Sequence, residues 1–140
     1  MAKHVLKSAV ITVDGTNLSD HCSSVQIEDT ADEVDFTSFS GSNYREFGQG
    51  LHDATITATF FNDYAAASVD AVLNPLYASG GTFTVTVKPT NAATSGSNPI
   101  YTLISRLYSY SPITGSIGDA NTTDVTFRNG GTAGLTRGTS

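Results

Sequence analysis

Along the chain, β-branched and aromatic residues recur at every second position in short runs separated by Gly, Asn, Asp and Ser. A period of two sends alternate side chains to opposite faces of an extended backbone, which is the mark of a half-buried strand. Residues 8–13 (SAVITV) form the first such run, closed by the turn pair Asp14–Gly15. In residues 24–28 (SVQIE), Val25 and Ile27 share one face and Gln26 and Glu28 the other. The clearest run is residues 53–61 (DATITATFF), with Ala54, Ile56, Ala58 and Phe60 on one face and Asp53, Thr55, Thr57, Thr59 and Phe61 on the other. Ile56, Ala58 and Phe60 are its expected core positions, and its length of about 30 Å is large for a globular domain.

Residues 82–88 (TFTVTVK) repeat the pattern with Phe83, Val85 and Val87 inward; residues 124–128 (DVTFR) place Val125 and Phe127 against Asp124, Thr126 and Arg128. Residues 100–110 read as a long, less regular strand. Residues 34–39 read either as a paired strand or as the start of a long loop, because Gly41, Ser42 and Asn43 break the alternation. One segment has helical spacing: Ala65, Val69, Val72, Leu73 and Leu76, with Asn62 or Asp63 as cap and an expected end near Leu73, since Pro75 disfavours helical geometry at Asn74. About seven strands and a lone central helix predict a mainly β fold, a sandwich or partial barrel with the helix over one opening. The whole of 1–140 reads as one domain, with an N-terminal arm at 1–7, a polar loop at 90–99 and a flexible tail at 130–140.

Composition sharpens the picture. Charged residues are 14% of the chain, against about 25% in an average soluble domain, so the surface is polar but weakly charged. A net charge of −6 with seven scattered basic residues leaves no footprint for gripping nucleic acid. Five acids crowd together, Glu28, Asp29, Asp32, Glu33 and Asp35, either as a solvated loop or as an acidic surface that meets a partner. The single cysteine, Cys22, rules out an internal disulfide framework and reads as a small buried hydrophobe. Lys7 and Ser8 interrupt any signal-peptide core, and no apolar run approaches the ~20 residues of a membrane span, so synthesis and assembly are expected in a cytosol, away from membrane.

Candidate chemistry is sparse. No G-x-S-x-G elbow accompanies His4, His21 or His52, no Cys/His pairs have zinc-ligand spacing, and residues 41–50 contain no G-K-[ST] phosphate loop. Asp29, Asp32, Asp53 and Asp63 match no calcium-loop pattern. No catalytic residue, cofactor or metal ligand is expected, and a non-enzymatic role follows. Long Thr-rich strands with few lysines or prolines instead leave sheet edges poorly guarded against pairing with another chain.

Short motifs then appear in a fixed order: Asp14–Gly15–Thr16–Asn17–Leu18–Ser19; Val34, Asp35, Thr37 and Phe39; Arg45, Phe47, Gly50, Leu51, Asp53 and Thr55; and Phe60–Phe61 closing an alternating strand. In this order the chain resembles the tail-tube (major tail) proteins of long-tailed bacteriophages, over residues 8–130. That resemblance implies hexameric rings whose sheets join into a barrel around a lumen and which stack into a hollow tube conducting DNA, located in the virion. It implies that the loop at residues 31–50 makes the ring-to-ring contact. Within that loop the aromatic–Arg–acid–aromatic run Tyr44, Arg45, Glu46 and Phe47 has the residue types of interface anchors and, with Asp32 and Asp35, is the expected contact; the other reading is a loop folded back on its own sheet with Phe47 in the core. The expected lumen or wall face is Asp53, Thr55, Thr57 and Asp124, whose carboxylates would repel passing double-stranded DNA rather than bind it. Expected partners are further copies of the chain and tape-measure, tail-terminator and distal tail proteins. Two other readings remain open at this point: a head–tail connector or terminator ring, and a carbohydrate-binding sandwich using Tyr101, Tyr108 and Tyr110.

Overall fold

The computed structural model describes residues 3–39, 41 and 43–139. Among the described residues the alternating runs become eight strands: β1 (Val10–Val13), β2 (Thr16–Asn17), β3 (Cys22–Asp35), β4 (Phe47–Phe61), β5 (Phe83–Lys88), β6 (Ile100–Arg106), β7 (Thr122–Asn129) and β8 (Thr136–Gly138). One helix, α1 (Val69–Ser79), joins β4 to β5, and a 3-10 turn at Ser19–His21 precedes β3. The strands pair antiparallel in the order β2-β1-β5-β6-β7-β4-β3, with β8 added to β6.

A corner divides this sheet. β6 and β7 share only two register positions, Ser105↔Asn129 and Arg106↔Arg128, while β8 pairs the other end of β6 at Ile100, Tyr101 and Thr102. One half is therefore β3-β4-β7 and the other β2-β1-β5-β6-β8. Gly130 makes the corner: its N–H donates to the Ile104 carbonyl at 2.8 Å. A Cβ there would lie 2.8 Å from Arg106 Cγ and 3.2 Å from the Ser105 carbonyl carbon. Only a bare backbone passes this close.

Both halves turn their apolar faces to one core. Val13, Val85 and Leu103 from one half and Ile56, Phe60, Val125 and Phe127 from the other have no exposed surface. Phe83 and Phe127 meet edge to face across the two halves, with ring centroids 5.8 Å apart, the geometry that aromatic quadrupoles favour. The helix adds Val69 and Leu73. Tyr110 ties the loop after β6 to it by donating to Asp70 Oδ1 at 2.6 Å; burial, and then the neighbouring carboxylate, push the phenol pKa well up.

Several elements differ from the sequence pattern, each for a physical reason. The helix starts at Val69, not near Asn62, because Asp63 Oδ1 accepts the Ala65 N–H and Ala67 sits at φ +60°, which a helix cannot run through. It also passes Pro75 and ends at Gly80, in the left-handed conformation. Burial of Val69 and Leu73 outweighs the one hydrogen bond that proline removes. β6 stops at Arg106, short of Tyr110. The C-terminal segment, expected as a flexible tail, carries β8. Most important, the acidic run is not a loop: it lies on β3, and β3 and β4 extend into the expected loop at residues 31–50 from both sides.

Candidate assembly surfaces

Asp29↔Ala54 is the last cross-strand pair between β3 and β4 with a buried member. Beyond it the two strands run on as a ribbon through Thr30↔Asp53, Ala31↔His52, Glu33↔Gln49, Val34↔Gly48 and Asp35↔Phe47. None of the ribbon's described residues is buried. Gly50 and Leu51 stand opposite the single Asp32, a bulge that bends the ribbon and increases its twist. Glycine is needed on the inside of this bend, since a Cβ on Gly50 would meet Val34 Cγ2 at 2.9 Å. At Gly48 the backbone instead accepts the ring of Phe36, whose Cε2 is 2.6 Å from where a Cβ would stand.

The tip of the ribbon is braced by the residues the motif order singled out. Asp35 Oδ1 accepts the Thr37 N–H at 2.8 Å, and Thr37 Oγ1 accepts the Glu46 N–H at 2.9 Å. The Phe36 N–H donates to the Glu46 carbonyl at 2.8 Å. Arg45 lies 3.8 Å from Asp35. Contacts from Thr37, its side chain first and then its N–H, hold the Asp35 carboxyl below its ordinary pKa. Around this brace Phe36, Phe39, Tyr44, Phe47 and Leu51 are exposed. A two-stranded ribbon without a core is marginal in water, and this one also holds five large apolar side chains in solvent. Asp32, Asp35, Tyr44, Arg45, Glu46 and Phe47 thus all lie on the ribbon, at its bend and tip.

A second surface is the polar face of β3-β4-β7. Its cross-strand rows are Glu28–Thr55–Arg128, Gln26–Thr57–Thr126 and Ser24–Thr59–Asp124. Arg128 reaches Asp53 at 3.2 Å, and Thr59 donates to Asp124 at 2.7 Å. Asp53, Thr55, Thr57 and Asp124 therefore share one face, while Ile56, Ala58 and Phe60 occupy the buried side of the same sheet. This half-sheet also has two open margins. Among the described residues no strand pairs with β3 on the side away from β4, and β7 meets β6 only at its last two residues.

A polar clasp holds the start of β3. His21 Nδ1 lies 2.9 Å from Asp20 Oδ1, and Nε2 lies 3.0 Å from Asp63 Oδ2. Two carboxylates facing two ring nitrogens are both satisfied only when both nitrogens carry protons. The hydrogen bond to Asp20 and then that to Asp63 raise the His21 pKa above its ordinary 6.5, against a partial offset from burial. The Ala65 N–H in the first place, and His21 after it, lower that of Asp63 from its ordinary 3.8. A raised histidine pKa contributes stability that is full below about pH 6.5 and lost as pH rises through the folded value. The depressed Asp63 contribution is present above about pH 3.8 and lost as pH falls through its own folded value. The clasp is thus strongest between those limits. His21→Gln is expected to lower the melting temperature near pH 5.5 and to have a smaller effect at pH 8; an equal loss at both pH values would show that the clasp carries no charge.

Among the described residues no group of three or more His, Cys, Asp or Glu side chains is placed to hold a metal ion, and no helix is long and apolar enough to cross a membrane. Cys22 is half-buried rather than fully buried, its thiol donating to the Ser24 carbonyl at 3.1 Å, and burial pushes that thiol's pKa up. Tyr101 and Tyr110 are partly buried and Tyr108 is exposed. The Tyr110 hydroxyl is taken by Asp70, so of the three only Tyr108 is offered as an exposed ring.

No protein-family model and no curated protein matches the sequence. Solved structures do. A chain of the virion of a native gene transfer agent (GTA) particle matches with a TM-score of 0.75 at 18% identity, over 96% of this chain and 98% of that one. A chain from the tail of an empty GTA particle, refined helically with C6 symmetry, gives a TM-score of 0.64 at 19% identity over 83% and 81%. The SPP1 tail tube gives 0.70 at 11% identity over 95% and 76%. Along nearly all its length, this chain has the fold of tail-tube proteins.

Proposed function

We propose that the chain is the structural subunit of a viral or virus-like tail tube: six copies close into a ring, and rings stack into a hollow tube that conducts DNA. The observation that carries this reading is the pair of open margins on β3-β4-β7, in a chain whose fold matches tail and tail-tube structures almost end to end. Backbone N–H and C=O groups at a sheet margin act as a template for another strand, and in a ring they are completed by neighbours. Rotation about a tube axis leaves strand directions along that axis unchanged. β3 and β7 run the same way, each being antiparallel to β4, so β3 of one copy meets β7 of the next in parallel. The interface is heterologous and closes when the rotation closes.

The polar face of the same half-sheet then lines the channel. Glu28, Asp53 and Asp124 outnumber Arg128 there, and a wall of Thr hydroxyls and carboxylates repels phosphate instead of gripping it. Only groups on the wall act on the DNA, because screening at physiological salt extends about 8 Å. The role is structural rather than catalytic. Tape-measure, tail-terminator and distal tail proteins are the partners such a tube takes inside and at its two ends.

Electron microscopy of the purified, concentrated chain tests this. Six-membered rings stacked into tubes are expected, with the Glu28–Asp53–Asp124 face toward the channel. Rings that never stack would point instead to a connector or terminator. Dispersed monomers at high concentration, or a map with that face outside the channel and a net-positive wall, would overturn the reading.

A further inference from the structure

A groove of about 180 Å³ lies between the segment that leads through β1 and the start of β3; Leu6, Ile11, Cys22 and Val25 supply apolar lining, and Lys7, Ser19, Ser23 and Ser24 make the rest of its wall polar. It is well below the ~300–1,000 Å³ of small-molecule sites and suits a single large side chain. Among the described residues no carboxylate lines it, and Lys3 and Lys7 make the adjoining N-terminal segment cationic. The ribbon has the opposite character. Residues 28–46 carry six carboxylates and one guanidinium, and at their tip Phe39 is fully exposed.

We propose that this groove is the receiving site for the ribbon tip of a second copy, with Phe39 seated among Leu6, Ile11, Cys22 and Val25 and the ribbon acids facing the Lys3–Lys7 segment. The proposal rests on the tail-tube reading and assigns the other half of its ring-to-ring contact. Strand polarity excludes an intramolecular version. The groove is at the start of β3 and the ribbon tip lies beyond its end, about 40 Å apart along an extended strand. Donor and acceptor at opposite ends of one strand give a contact between copies that translates along that strand. It does not close on itself, so it propagates as an open stack. β-edge pairing thus runs around the ring and ribbon-to-groove docking runs along the tube.

The one natural thiol lies in the groove, which makes the test direct. In the full chain, Ser38→Cys, which keeps Phe39, treated with a short bis-maleimide after assembly is expected to give a ladder of covalent multimers on a denaturing gel. The same substitution in a Cys22→Ser background should give at most cross-linked dimers from tip to tip, and the unsubstituted chain no ladder. Position 38 is exposed, so folding is not at stake. As a second measurement, Phe39→Ala is expected to raise at least tenfold the protein concentration at which tubes appear, while rings persist. Tubes that form normally with Ser38→Cys but give no Cys22-dependent ladder, or Phe39→Ala tubes at the parent's concentration, would overturn the groove assignment and leave the tail-tube reading standing. Absence of rings from the unsubstituted chain would overturn both.

Discussion

Cutting the ribbon back to its root is expected to give a subunit that folds as well as the parent and cannot stack. Replacing residues 32–51 by Asn-Gly joins Ala31 to His52, which already stand opposite each other, through a two-residue turn whose twist suits antiparallel strands. The excised stretch contains no buried residue among those described and takes with it Phe36, Phe39, Tyr44, Phe47 and Leu51. With no burial lost, the unfolding free energy should stay within the range of an ordinary surface change, about ±0.5 kcal/mol. Assembly should fall far more. Aromatic and Arg side chains are the groups that carry most interface energy, and losing several at once takes the tip's contribution to near zero. Sedimentation and microscopy would show monomers or single rings at concentrations where the parent forms tubes. Tubes of normal length from the shortened chain would mean that stacking uses another surface.

How much of this was legible in the sequence depended on whether burial enforced the pattern. β4, β5 and β7 were visible because Ile56, Ala58, Phe60, Phe83, Val85, Val87, Val125 and Phe127 alternate strictly, and each faces the core. The outer part of β3 obeys no such rule. Its residues DTADEVD offer only Ala31 and Val34 as apolar groups, and neither is buried. The backbone ladder to β4 alone holds them extended, and a ladder leaves no side-chain period to read. The result was a ribbon where the sequence suggested a solvated loop. β8 escaped because three residues are too few to show a period.

The residues of the proposed assembly surfaces split the same way. Asp35, Thr37, Arg45 and Phe47 could be found from order and spacing, since their brace is local to one tip. The groove could not, because residues 6–11 lead through β1 and residues 22–25 begin β3, which lie toward opposite ends of the strand order and meet only when the sheet curls. The open margins were legible in kind, as Thr-rich strands short of lysine and proline. Which strands carried them depended on the two-residue junction of β6 with β7, and a Gly-Gly pair at 130–131 was its one sequence trace.

Phe127→Ala is expected to destabilise the subunit by about 3–5 kcal/mol, the usual cost of removing a buried aromatic ring. Phe127 is wholly buried on β7, stands opposite Ile56 of β4, and meets Phe83 of β5 edge to face. It therefore joins the two halves of the sheet at a place where backbone pairing between them is limited to two positions. A cavity there cannot be closed by a small shift of one strand, because β4 holds β7 in register along seven pairs. Against a typical total stability of roughly 5–15 kcal/mol, the loss should lower the melting temperature by about 10–20 °C. Thermal unfolding followed by circular dichroism must be run below the concentration at which rings form, since assembly stabilises the folded subunit by mass action. Phe127→Leu, which refills most of the space, should lose less than half as much. The loss should extend to assembly, because loosening the halves lets the margins of β3 and β7 drift out of the alignment that ring closure needs. A Phe127→Ala chain melting within a few degrees of the parent would mean that the two half-sheets are not held together through this ring pair.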